Sequence, residues 1–451
     1  MELDAVVLFD TRSRIPIAGL TAGERALRVA RRVGATRVLA VDLTGGSTAR
    51  EAGRETKLAT TGAELIDWRV GRTCPVLVIR ADQLVHPPLV APLVAHAPAA
   101  DGIAIAVGPE DRYAGALLAA GRGAVTVIEA LARGESDSAV AAGATARVAH
   151  GEIARHAIAS VEDRRAAHRL LYRILIKPQD NAITRYLYRP VSFPLTRLLV
   201  WTPITPNQVS ILVAILVAIG CWMTAHASTG LAIGGTAMIL VASYVDCCDG
   251  EIARLKLLSS KLGAWLDTVI DELSTMGYLA ALGWHCHLAL GRAWLDARGL
   301  DVVVGGRDLW QLAIGIGVLT CGWSMYCIYF NIIVGVGSAN SQDYAARFEA
   351  VPGQAPRALR IRPLVAKAIA PRRPLPRPLA ILATYAPYAI RRDFITWASI
   401  VIVALRGAPV LFALFVLGGI VTSVLVTIDH IKLRQLRSSI VRGGHILERS
   451  A

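Results

Sequence analysis

The sequence predicts an α/β domain followed by an all-α domain of six transmembrane helices. Three observations carry this expectation. Residues 198–245, 273–291, 309–342 and 407–428 contain no Asp, Glu, Lys or Arg, and a helix needs about 20 mainly apolar residues to cross a bilayer. Residues 1–160 instead alternate short apolar runs with helical periodicity, the pattern of strands joined by crossover helices. Finally, the chain is 54% hydrophobic with a formal net charge of +14. Much of that basic excess borders the charge-free stretches, which suits contact with anionic headgroups. No stretch resembles a nucleic-acid-binding module.

Taken in order, "AVVLF" (5–9) reads as a buried strand and "AGERALRVARRVG" (22–34) as an amphipathic helix. "TRVLAVD" (36–42) and "CPVLVIRAD" (74–82) read as further strands, with helical stretches such as "HPPLVAPLVAHA" after them. A parallel sheet is expected. The opening "MELDAVVLFDTRSR" has an acidic start and a short apolar run, so no secretory signal is expected. Residues 161–207 interleave basic residues with Leu, Ile and Tyr, as in an amphipathic helix lying in the headgroup plane. "TPITPN" (202–207) then punctuates the chain, and Pro206 favours a helix start.

The helical domain is expected over 208–430, with spans at roughly 208–226, 231–250, 262–290, 309–336, 393–406 and 408–428. The fifth is too short to cross alone without extension. Residues 345–392 form a basic loop and 431–451 a basic tail. Under the positive-inside rule both face the cytoplasm, together with the N-terminal domain and the turn between spans two and three. The expected location is the inner membrane. Of the seven cysteines, Cys221, Cys286, Cys321 and Cys327 fall in apolar spans, while Cys247 and Cys248 are adjacent. That spacing supports neither a disulfide framework nor a zinc site.

The turn between spans two and three carries the chemistry. Asp246 and Asp249 are three residues apart, and Asp267 and Asp271 four apart, so each pair shares a helix face. A hairpin would bring the pairs together. Four close carboxylates repel, and near hydrocarbon they are costly. Hard divalent cations with oxygen ligands, Mg²⁺ or Mn²⁺, resolve that conflict, and two such ions suit displacement at phosphorus. Gly250 allows a nucleotide to approach the backbone, Ala253 and Gly263 keep the surroundings small, and Arg254 offers a fork of donors to a phosphate. Intramembrane acids also mark ion and proton paths, so a transporter or scaffold is a competing class.

These residues run as D-x2-D-G-x2-A-R-x8-G-x3-D-x3-D, from Asp246 to Asp271. The run resembles the CDP-alcohol phosphotransferase family at every fixed position. The resemblance implies an integral membrane enzyme that moves a substituted phosphoryl group from a CDP-linked donor to an alcohol and releases CMP. It implies Asp246, Asp249 and Asp267 as metal ligands, and Asp271 as general base that also touches metal. It implies nucleotide contacts from Asp246, Asp249, Gly250, Ala253, Arg254 and Gly263, and a homodimer.

The soluble half is similar to a nucleotidyltransferase fold. The whole layout resembles the bifunctional inositol-phosphate cytidylyltransferase and di-myo-inositol-phosphate-phosphate synthase group. Active members carry a glycine-rich loop after the first strand, whose backbone amides hold phosphate. Here that place reads "LFDTRSRIPIAG", where Arg12 and Arg14 are the groups able to meet phosphate. Asp82 stands where a metal-binding Asp is expected. A degenerate domain without CTP-dependent activity is therefore expected. Phospholipid synthesis from CDP-diacylglycerol and a polar alcohol or alcohol phosphate is the leading expectation, with inositol phosphate suggested by the layout. Transfer from CDP-inositol to inositol phosphate is the alternative.

Overall fold

The computed structural model describes residues 2–43, 56–96, 100–176, 182–337, 344–353, 357–364 and 392–448. Most of the basic stretch 345–392, and the end of the tail, lie outside them. The chain divides into two compact units. The first comprises residues 1–180, 196–204 and 251–258, and the second 181–195, 205–250 and 259–451.

The first unit is built on a seven-stranded sheet. Its strands are β1 (Asp4–Leu8), β4 (Arg37–Val41), β5 (Lys57–Ala59), β6 (Val76–Arg80), β8 (Ile103–Val107), β9 (Tyr113–Ala119) and β10 (Ala146–Ala149), in the order β10-β8-β9-β6-β1-β4-β5. Short strands β2 (Pro16–Ile17), β3 (Leu20–Thr21), β7 (Gln83–Val85) and β11 (Arg155–Ala157) form two side ribbons, β2 with β3 and β7 with β11. Along β1, Ala5 and Val7 enter one core cluster and Val6 the other. Successive side chains point to opposite faces, so a strand covered on both faces reads as an unbroken apolar run.

The sheet is mixed, where the sequence predicts a parallel one. Strand β9 runs antiparallel to both β6 and β8. Residues 108–112 are too few for a crossover, which needs a dozen or more residues, so a tight reversal is the connection left.

Helix α1 (Ala22–Arg32) begins where the Thr21 hydroxyl accepts from the Glu24 amide at 3.1 Å. Its Arg25 is fully buried and donates through Nη2 to the Ile17 carbonyl at 3.1 Å and the Leu255 carbonyl at 2.8 Å. Arg28 donates to the Lys256 carbonyl at 2.7 Å. Cations beside carbonyls at a helix C-terminus are favourable. Burial pulls the Arg25 pKa down to about 10, which leaves it charged at neutral pH. Helices α2 (Gly62–Arg69), α3 (Ala91–His96), α4 (Gly121–Ala132) and α5 (Asp137–Ala141) follow α1. Where the sequence predicts a basic amphipathic stretch over 161–207, the described residues form α6 (Val161–Tyr172), a π turn at Thr184–Tyr188 and α7 (Arg189–Leu199).

The second unit is helical. Its elements are α8 (Pro206–Thr224), α9 (Thr229–Leu255), α10 (Lys261–Asp296), α11 (Leu309–Asn331), α12 (Arg392–Ala404) and α13 (Ala408–Arg442). The last turn of α9 groups with the first unit. Thr205 caps α8 through a reciprocal box with Gln208, and Pro206 occupies the first turn, as the sequence predicts.

Each expected span thus has a helix. Among the described residues, four are long and apolar enough to cross a membrane: α8, α9, α11 continued to Val336, and α13. Helix α10 is long but carries the acids, and Gly291, with φ +62°, breaks it where the third span was expected to end. Helix α12 has 13 residues. Helix α13 runs on to Arg442, past the expected limit at 430.

Small residues set the helix crossings. A Cβ added at Gly235 on α9 would lie 2.5 Å from the Gly220 carbonyl oxygen of α8. One added at Gly317 would lie 2.8 Å from Leu279, and one at Gly419 would lie 3.1 Å from the Thr320 hydroxyl. Gly317 and Gly419 therefore serve packing inside this unit, whereas a Cβ at Gly315 or Gly418 meets nothing within 4 Å. Leu279, Leu282, Trp310, Phe412 and Val416 form the core there.

Candidate active site

Helices α9 and α10 bring three of the four predicted acids together. Asp246, Asp267 and Asp271 each offer a carboxylate oxygen, and these oxygens lie within 4.8 Å of one another. The short reversal between the helices and the spacing of Asp267 and Asp271 produce this convergence. All three residues are half-buried. An all-oxygen, anionic donor set of this span fits a hard divalent cation and excludes the soft metals that choose sulfur or imidazole.

Asp249 is placed differently. It is buried, and its Oδ2 accepts from the Ser210 hydroxyl of α8 at 2.6 Å. It stands outside the group of three converging oxygens, although the sequence predicts it as a metal ligand. Gly250 follows it on α9, half-buried. Ala253 and Arg254, also half-buried, lie within the stretch 251–258 that groups with the first unit. Gly263 sits in the first turn of α10, where its amide donates to the Ser260 hydroxyl at 2.9 Å. A Cβ there would lie 3.1 Å from Asn207 Oδ1, so glycine keeps this position narrow.

Beside the acids is a cavity of about 240 Å³. Asp246 and Asp271 line it, together with the hydroxyl-bearing Ser243, Ser274, Thr275 and Ser399. These hydroxyls donate to helix carbonyls four residues back, at 3.0 Å for Ser243, 2.5 Å for Ser274, 3.1 Å for Thr275 and 2.6 Å for Ser399. Each oxygen keeps lone pairs to accept from a ligand. Sequence reasoning missed Ser210 and this group. A serine on an apolar helix carries no local mark of which side chain it meets across the bundle.

In the first unit, Asp82 is bound by Arg80. The Arg80 Nε donates to Asp82 Oδ1 at 3.1 Å, and its Nη2 donates to Oδ2. Both carboxylate oxygens of Asp82, the residue the sequence places at a metal-binding position, are engaged by one guanidinium, which offsets its charge. The segment after β1 forms a tight turn, Thr11–Arg14, closed by the Asp10 side chain. Arg12 and Arg14 are exposed on it.

Residues 203–346 match the family described as CDP-alcohol phosphatidyltransferase. Among curated relatives, the chain is similar to the bifunctional IPC transferase and DIPP synthase of Rubrobacter xylanophilus, at 33% identity over 138 residues, which are 30% of this chain and 31% of that one. It is also similar to the protein of the same name from Aquifex aeolicus, at 36% identity over 125 residues and 28% of each chain. The matches thus span less than a third of these relatives.

Two solved structures are similar at low scores. A mycobacterial homologue of Mycobacterium tuberculosis rv0371c has 15% identity and a TM-score of 0.31, covering 38% of this chain and 98% of that one. A 4-diphosphocytidyl-2C-methyl-D-erythritol synthase has 14% identity and a TM-score of 0.29 with the same coverages. The fixed residues from Asp246 to Asp271 all lie inside the matched segment, and three of the acids converge there.

Proposed function

We propose that this chain is an integral membrane enzyme that transfers a phosphatidyl group from CDP-diacylglycerol to the hydroxyl of a polar alcohol and releases CMP. The observation that carries the reading is the convergence of Asp246, Asp267 and Asp271 at the junction of two long helices. In this reading all six helices cross the membrane, with the acid cluster and the α/β unit on the cytoplasmic side. The protein works as a homodimer.

Asp246, Asp267 and Asp271 would hold Mg²⁺ or Mn²⁺, with Asp249 as the fourth carboxylate of the set. Bound there, the cations offset charge on the donor diphosphate and improve CMP as a leaving group. Asp271 accepts the proton of the acceptor hydroxyl. The freed oxygen forms a bond to the lipid-side phosphorus, and the bond from that phosphorus to the CMP oxygen breaks. Gly250, Ala253 and Gly263 leave room for the nucleotide, and Arg254 binds a phosphate. The cavity beside Asp246 and Asp271 supplies hydroxyl acceptors that orient a polyol.

A second reading is favoured by the similarity to proteins that are bifunctional IPC transferases and DIPP synthases. There the donor is CDP-inositol, the acceptor inositol phosphate, and the product a water-soluble phosphodiester. The degenerate first unit would then draw CDP-inositol from another enzyme. Purified protein supplied with each donor and with glycerol phosphate, serine, inositol or inositol phosphate separates the readings. Label entering the organic phase supports the first and label kept in water supports the second. No CMP from any pairing would remove both.

A further inference from the structure

Helix α9 ends in a way that its own sequence does not account for. The last turn closes through two bonds, from the Leu258 amide to the Ala253 carbonyl at 2.9 Å and from the Leu257 amide to the Arg254 carbonyl at 3.4 Å. That pairing needs a left-handed residue at position 257, a place usually taken by glycine. Here it is Leu257, with φ +55°. Residues 251–258 fold with the α/β unit, and Leu257 packs against the hydrophobic cluster that contains Leu3, Val7 and Ile79. A side chain in a disfavoured backbone region persists where its surroundings over-determine it.

The same unit takes the carbonyls that the helix end leaves over. The last carbonyls of a helix have no partner within it. Those of Leu255 and Lys256 accept from Arg25 and Arg28 of α1, at 2.8 and 2.7 Å. The Lys256 ammonium in turn donates to the Thr202 carbonyl at 2.6 Å and the Ile204 carbonyl at 3.1 Å. Residues 196–204 also fold with the α/β unit, and a Cβ added at Gly19 would collide with the Val200 carbonyl there.

We propose that Arg25, Arg28 and Leu257 are positioning residues, through which the α/β unit clamps the end of α9 and fixes the reversal that carries the acid pairs. Asp246 and Asp249 stand on α9 just before the clamped stretch, and Asp267 and Asp271 on α10 after it. Only Ser259 and Ser260 separate that stretch from α10. Freedom at the clamp therefore passes into the spacing of the two acid pairs. Carboxylates brought together repel one another, so the backbone has to hold them at the separation a cation needs. The α/β unit thus supports transfer without touching substrate. This role rests on the reading of the acid cluster as a metal-dependent transfer site.

The test compares Arg28→Met, Arg28→Lys and Leu257→Gly in the purified full-length protein. Hydrogen exchange is measured on each, together with Mn²⁺ binding from the paramagnetic resonance of the free ion. Arg28 and Leu257 are half-buried. Methionine keeps an apolar stem without a donor, and lysine restores a donor. Glycine suits a left-handed position better than leucine, so a mere helix stop would be kept or strengthened by Leu257→Gly. The clamp predicts the opposite. Residues 256–263 should exchange about tenfold faster in Leu257→Gly and Arg28→Met, while β8 and β9 keep their protection. Mn²⁺ binding should weaken about tenfold in both, and CMP release fall by about ten- to a hundredfold. Arg28→Lys should recover most of each loss. Unchanged exchange at the reversal, faster exchange with Mn²⁺ affinity unaltered, or no Mn²⁺ binding by the wild type would overturn the proposal. Should the wild type bind Mn²⁺ yet release no CMP from any donor, the transferase reading falls, and exchange and Mn²⁺ affinity still decide the clamp.

Discussion

The α/β unit and the helical unit each carry an aspartate where divalent metal chemistry would place one, and the immediate neighbours give them opposite fates. In the helical unit, Asp246, Asp267 and Asp271 converge within 4.8 Å, an anionic cup suited to a cation. In the α/β unit, Asp82 has a guanidinium two residues away that takes both of its oxygens. Carboxylates gathered together make a cation site. A carboxylate paired with arginine has its charge offset by that neighbour. One side-chain type thus stands in two electrostatic settings, and the charge beside it makes the difference.

The sharpest way to break this contrast is to remove one carboxylate from each site. Asp271→Asn should lower CMP release by about 10²–10⁴-fold, the usual contribution of a general base, with membrane insertion unchanged. Asp82→Asn should leave CMP release within about twofold. The full-length protein given CTP and inositol phosphate should form no CDP-alcohol. Equal losses from the two variants, or product from CTP, would mean that both aspartates serve metal-dependent transfer.

A second contrast concerns structural carboxylates. Asp4 is fully buried on β1 and accepts from Arg69 Nη1 at 2.7 Å and from Arg72 Nη2 at 3.1 Å. Replacing it with Ala strands a buried guanidinium, at a cost of about 3–5 kcal/mol. Hydrogen exchange on the full-length protein should show the sheet strands losing protection while α8–α13 keep theirs. In the helical unit, Gly235→Val drives a side chain into the Gly220 carbonyl and Thr224. It should cost about 1–3 kcal/mol by overpacking, read as a lowered thermal midpoint in detergent.

A further effect is a pH dependence of the α/β unit. Burial and the Arg25 charge pull the His86 pKa from 6.5 down to about 4. Below pH 6.5 the unfolded chain takes up a proton that the folded unit refuses until about pH 4. Stability should therefore be highest above pH 6.5, fall between these limits and level off below them. His86→Gln should flatten that slope in the exchange protection of β6 and β7. An unchanged slope would place the proton uptake elsewhere.

The legible parts of the molecule are those written in local spacing. Thr205, Pro206 and Gln208 announce a helix start that depends on three neighbouring residues, and the structure caps α8 with them. The acids were readable because helical spacing and a short reversal are local facts. The Ser210 bond to Asp249 was not, since it joins residues 39 apart across two helices. The antiparallel placement of β9 was hidden because apolar composition does not record strand direction. The pairing of Arg80 with Asp82 sat in plain view in "IRAD", yet the same letters suit a metal ligand. Only the direction of the arginine distinguishes the two.

The most direct test of the central claim is anomalous diffraction from crystals of the protein grown with Mn²⁺. Anomalous peaks within bonding distance of Asp246, Asp267 and Asp271, absent in Asp271→Asn and absent at Asp82, are the predicted result. Density at Asp82, or no peak at the acid cluster under saturating Mn²⁺, would contradict it.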